Sequence, residues 1–272
     1  MESGSPYGIR DGDLDDASVT TVVDCDTGII DLAVRGRWRH QLWQQAHQAV
    51  ATCLAGHAGG IVIDLHHLDD PRAGSVPLWL TTRAQGAALH PPVPVLATVP
   101  ATTALAARLN RPGARRHLPV AATVADAHAT LAEHDPFTDQ LRLPLPPEPA
   151  ATVAARDAVA GACRQWRLTP LIHTARLVIS ELVANATEHA GTPIDVIMSR
   201  LGTTNRDLGL HLAVYDRDPR LPQRPSTGST EPLEHRHLGL RVVDAAAHAW
   251  GAMPARNGKM VWATLRPPPH PH

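Results

Sequence analysis

Aromatic residues are scarce in this chain: one Phe, two Tyr and six Trp make up only 3% of its 272 residues. Its cores must therefore be built from Ala, Val, Leu and Ile, with the Trp side chains as the large fillers. Cysteine is nearly absent. Cys25, Cys53 and Cys163 are scattered, which excludes a disulfide framework and a zinc pattern. Neither sign of charge dominates, with 25 basic against 26 acidic residues and a formal net charge of −1, so neither nucleic acid nor an anionic membrane is expected as the main partner. No apolar run approaches the roughly 18–20 residues that span a bilayer, and the start of the chain lacks the basic and apolar regions of a signal peptide. These absences leave a reduced, cytoplasmic protein as the expectation. Proline is plentiful, with 25 residues, and it crowds the segment 135–149, which reads as a linker between two domains. Residues 1–18 and the Pro/His tail 267–272 read as disordered.

From residue 19 to 134 the pattern alternates. Residues 19–23 and 29–34 read as a hairpin around Asp26-Thr27-Gly28. A helix follows, with Leu42, Trp43, Ala46, Val50 and Leu54 at helical spacing. Gly60 to Leu65 reads as a short buried strand. Beyond it come a helix at 76–88, a strand at 93–99, a helix at 102–109, a strand at 117–120 and a helix at 122–133. The order ββαβαβαβα predicts a mixed sheet with helices packed on it. Together with Ile61-Val62-Ile63-Asp64-Leu65, it resembles a STAS domain of the anti-sigma-factor-antagonist type. In that family the loop after the buried strand carries a Ser that a partner kinase phosphorylates. Here the loop reads Asp69-Asp70-Pro71-Arg72-Ala73-Gly74-Ser75, which places Arg72, no phosphoryl acceptor, at that position. Ser75 just beyond reads either as a substitute acceptor or as the N-cap of the next helix.

In the segment 150–266 two helices are expected at 150–166 and 170–190, strands at 194–201 and 208–215, a helix at 240–249, and final strands at 249–253 and 259–265, with Asn257-Gly258 at the turn. On the second helix Leu171, Ala175, Val178, Leu182 and Ala186 form an apolar stripe, widened by Ile172, Ile179 and Val183. Glu181 and Asn185 lie one turn apart on its shoulder. A packing helix has little use for such a pair, whereas a helix that holds a cation and orients a water does.

The stretch from Ser180 to Ala190, with Glu181, Asn185 and His189, matches the N box of GHKL ATPase domains, and residues 150–266 resemble those of anti-sigma-factor serine/threonine kinases. The fold implied is α/β and α+β: a STAS-like mixed sheet with helices, followed by a GHKL α/β sandwich. By the resemblance, Asn185 holds Mg²⁺ on the ATP phosphates, and Glu181 polarises a water or takes the substrate hydroxyl proton. Mg²⁺ prefers oxygen ligands and keeps several waters, so one amide oxygen plus phosphates suffices. A nearby carboxylate then serves as general base. Asp216, at the end of a strand, corresponds to the residue that accepts the adenine amino group, although Arg217, Asp218 and Pro219 replace the glycines usual after it. Gly239-Leu240 corresponds to the glycine motif before a helix, whose N–H groups cradle phosphates. His237 stands at its first glycine, where it either blocks the backbone or donates to a phosphate. Gly258 marks the terminal hairpin, and Met260 replaces a frequent Thr near adenine. His189 either reaches a phosphate or ribose, or packs.

His66-His67 lie beside Asp64, Asp69 and Asp70, but sequence neighbours on a strand point opposite ways; His40 and His47 have no carboxylate at ligand spacing, and all read as structural or solvated. A histidine-kinase reading lacks a dimerisation helix with an acceptor His. Two functions stay open. One is an ATP- and Mg²⁺-dependent anti-sigma-type serine/threonine kinase, acting on a STAS antagonist or a sigma factor, with a homodimer in keeping with the family. The other is a non-catalytic binding module whose first domain docks on the second in cis.

Overall fold

The structure is a computed structural model that describes residues 17–133, 139–203, 208–222 and 238–267. The residues expected to be disordered before Ala17 and after Pro267, and His237, lie outside it. β-Branched residues and the left-handed Gly28 (φ 68°) make the first hairpin. It consists of β1 (Ser18–Val23) and β2 (Ile29–Arg37), paired antiparallel from Ser18↔Arg35 to Val23↔Ile30. There follow α1 (His40–Ala55), β3 (Gly60–Asp64), β4 (Leu68–Asp69), α2 (Val76–Ala88), β5 (Val95–Thr98), α3 (Ala104–Leu109), α4 (Pro112–His117), β6 (Val120–Ala121) and α5 (Val124–Ala132). The second half contributes β7 (Gln140–Leu145), α6 (Ala150–Gln165), a 3₁₀ turn at Thr169–Leu171, α7 (Ile172–His189), β8 (Ile194–Leu201), β9 (Gly209–Asp216), α8 (Leu238–Ala246), β10 (Ala249–Ala255) and β11 (Gly258–Leu265).

The mixed α/β architecture is as expected, with local differences. An unpredicted helix covers residues 112–117, and of the strand predicted at 117–120 only Val120 is in a strand. Pro112 at the first helical turn pre-sets φ and loses no hydrogen bond there, which leaves only the two-residue β6. The proline-rich segment expected as a linker carries β7. Its Pro144 is accommodated because, among the described residues, β7 is the last strand of the sheet and pairs with β8 alone. Trp43 turns outward, 40% exposed, and stacks on His40 and His47 at 5.8 and 5.4 Å. Ser75 occupies the N-cap position of α2 without capping it. Its buried hydroxyl has no partner among the described residues, and Asp70 instead accepts from the N–H groups of Gly74 and Ser75 at 2.9 and 2.8 Å.

The two halves form one sheet, in the order β6-β5-β3-β2-β1-β10-β11-β9-β8-β7, with β4 beside β2. The seam is the short parallel pairing of β1 with β10 at Val23↔Ala255, followed by the Arg256 N–H donating to the Val23 carbonyl at 3.1 Å. In the second half, one face of the sheet is covered by α6, α7 and α8 over Val196, Leu212, Val214 and Ala263. The opposite face presents Ala213, Tyr215, Met253, Met260 and Trp262, and these belong to the same apolar cluster as Leu42, Cys53 and Leu54 of α1. Every residue of β9 and β11 is buried. An antiparallel sheet usually leaves one face to water; here the first half covers that face.

Candidate functional site

α7 buries Ala175, Val178, Ile179, Leu182, Val183 and Ala186, the stripe expected from its spacing. That anchoring holds its shoulder residues against the start of α8. Gly239 lies in α8, described over Leu238–Ala246. A Cβ on Gly239 would stand 2.7 Å from Glu181 Oε2 and 3.5 Å from Asn185 Oδ1. Glycine there lets the α8 backbone reach Glu181 and Asn185 closely. α8 is fixed in turn by Trp250 of β10, whose indole N–H donates to Asp244 Oδ1 at 2.7 Å.

Asn185, His189, Asp216 and Leu240 line one cavity of about 380 Å³, between α7, α8 and the ends of β9 and β11. Glu181 and Gly239 adjoin Asn185 but are not among the lining residues, and neither is Gly258. Gly258 acts from behind. Its φ of +144° and its approach to the backbone of Asp216 and Arg217 admit no side chain, so it sets how closely β11 approaches the end of β9. Asn185 Nδ2 is buried without a hydrogen-bond partner among the described residues.

Sequence reasoning missed Lys259, which also lines the cavity. Its Nζ donates to Asp216 Oδ1 at 2.9 Å, to the Asp218 carbonyl at 3.1 Å and to Asp218 Oδ2 at 3.3 Å. Lys259 is 7% exposed and Asp216 4%. Asp216 Oδ1 also accepts from the Asp218 N–H at 2.9 Å. Asp218 is further bonded by Arg220 Nε at 3.0 Å, and this bond with Arg220, backed by Lys259, holds its carboxyl down at about 2. Asp218, which replaces a glycine usual at this place, thus has a structural role in clamping Lys259, while the backbone N–H of Arg217 donates to Thr192 Oγ1 at 3.0 Å. The one sequence signal for Lys259 is its place directly after the turn residue Gly258; its register with Asp216 across β11 and β9 is visible only in the fold.

A second cavity, of about 280 Å³, lies between the halves and includes His57, Arg142, His211 and Tyr215 in its lining. His57 and His211 face each other at 5.4 Å. Among the described residues no group of His, Cys, Asp and Glu could hold a metal ion, and no helix is long and apolar enough to cross a membrane.

No protein-family model matches the chain, and no curated protein does. Among solved structures it is similar to an anti-sigma factor antagonist from Mycobacterium paratuberculosis, at 22% identity, 42% of this chain and 94% of that one, and a TM-score of 0.35. It is also similar to the RsbU and RsbW domains of a Mycobacterium tuberculosis protein, at 20% identity, 47% of this chain and a TM-score of 0.34. The match spans 32% of that second chain.

Proposed function

We propose that the second half binds Mg-ATP and that the chain is a regulatory protein of a partner-switching circuit, an anti-sigma-type serine/threonine kinase acting on a STAS antagonist or a sigma factor. The observation that carries this reading is the convergence of Asn185, Asp216 and Leu240, from three separate elements, on one cavity, with Glu181 against Asn185 through the bare backbone of Gly239. The phosphate end fits such a ligand. A Cβ would fill the space at Gly239, and the Asn185 amide has a donor without a partner among the described residues. Asn185 would hold Mg²⁺, which neutralises phosphate charge when bound. Glu181 would take the proton of the attacking hydroxyl, and Asp216 would face the base.

A non-catalytic binding module is the second reading, favoured by the Lys259–Asp216 ion pair in the base site and by the first half seated on the sheet. Arg72 and the buried Ser75 give the first half no accessible hydroxyl in this loop.

Calorimetry with Mg-ATP, wild type against Asn185→Ala, followed by phosphoryl transfer to STAS proteins, separates these readings. Binding that Asn185→Ala weakens, with transfer that Glu181→Ala lowers by about 10²–10⁴-fold, supports the kinase. Binding without transfer supports the module. If the wild type binds no Mg-ATP, the nucleotide reading is wrong.

A further inference from the structure

We infer that Lys259 sets the base specificity of this cavity: it occupies one oxygen of the Asp216 carboxylate, which leaves the other to read a single amino donor and shuts out guanine. The inference rests on the nucleotide reading above and concerns only how the base is chosen. A carboxylate accepts through both oxygens, with about four lone-pair sites in all. A free aspartate therefore suits a base edge with two adjacent N–H donors, one to each oxygen. Guanine has such an edge, formed by its ring N1–H and its 2-amino group. Adenine does not, since its exocyclic amino group is flanked by ring nitrogens and carbons that donate nothing to a carboxylate.

The two oxygens of Asp216 are not equivalent. Oδ1 accepts from Lys259 Nζ and from the Asp218 N–H, both at 2.9 Å, so its lone pairs are used. Oδ2 takes no hydrogen bond among the described residues and is the acceptor left for a base. Lys259 is held to its task. Its other two bonds go to the Asp218 carbonyl and Asp218 Oδ2, Arg220 fixes Asp218 Oδ1 from outside, and Gly258 keeps the start of β11 against the backbone of Asp216. Leu182, Val214, Leu240 and Val261 supply apolar walls for a ring. An adenine amino group on Oδ2 bonds a charged acceptor, which is stronger than a neutral one. Guanine on the same oxygen satisfies one donor and turns the other toward a filled Oδ1 and the Lys259 ammonium. A buried donor left without a partner costs its full desolvation.

The test compares Mg-ATP, Mg-GTP and the Mg-triphosphate of purine riboside, which has hydrogen where adenine has its amino group. Affinities are measured by calorimetry on the full-length wild type, Lys259→Met and Lys259→Arg, each first shown to be folded by circular dichroism. The wild type is expected to bind ATP about tenfold more tightly than either of the others. Lys259→Met frees a lone pair of Oδ1 for the second donor of guanine. It is expected to narrow the ATP-to-GTP ratio by about tenfold while keeping the preference for ATP over the purine riboside form. Lys259→Arg retains a cation and is expected to retain both wild-type ratios. A merely structural role for Lys259 would weaken all three nucleotides together and leave the ratios unmoved, and that result in Lys259→Met would overturn the inference. So would a wild type that binds ATP and GTP, or ATP and the purine riboside form, within about twofold; these outcomes leave nucleotide binding intact and need no variant to fold. If the wild type binds none of the three, the nucleotide reading fails and the inference falls with it.

Discussion

Asp216 and Lys259 come from β9 and β11 and bury opposite charges side by side. Removing one member of a buried pair strands the charge of the other, at about 3–5 kcal/mol. Lys259→Ala is therefore expected to lower stability by about 3 kcal/mol, read as a smaller midpoint in urea unfolding with an unchanged slope. Arg220→Ala, at the solvated end of the same network, is expected to leave the urea midpoint nearly unchanged. Equal losses from the two substitutions would refute the assignment of the burial cost to Lys259.

The elements that frame the cavity were largely legible in advance. The apolar stripe of α7, the full length of β8 and the turn at Asn257-Gly258 follow from local periodicity and turn chemistry, which act within a few residues. What escaped depends on pairing. β7 contains a proline and reads as a linker until its place at the sheet edge is known. Lys259 reads as a solvated strand residue until β11 is laid beside β9. Where the end of α1 meets β9, burial pushes His57 down to about 4, with Arg266 adding to the effect, and burial with His57 alongside pushes His211 well below its ordinary value. Both rings are neutral in the folded chain. Between the ordinary 6.5 and about 4, the unfolded chain takes up protons that the folded chain refuses. Stability is therefore present above 6.5 and falls as pH drops through that window. Urea midpoints measured across this range should fall on acidification, and His57→Gln should flatten the slope; an unchanged slope would refute the assignment.

At the scale of the whole molecule, the halves are held by apolar burial far more than by charge. Arg256 reaches Asp24 and Asp31 at 3.4 Å from a half-exposed position, whereas Trp262 is 2% exposed in the cluster shared with α1. Arg256→Ala is expected to cost less than about 1 kcal/mol and Trp262→Ala about 3–5 kcal/mol. If Arg256→Ala proves the more damaging in thermal unfolding, the seam is electrostatic instead. The cover over β9 and β11 is also tethered to what it covers. A separate partner leaves such a face when diluted and returns when abundant; a tethered one answers to neither. Its occupancy is the same at any copy number, and a competitor for the cover must outweigh its high effective concentration. Whatever exposes that face must open the chain itself, and the rate of that opening sets how quickly the face could ever be used.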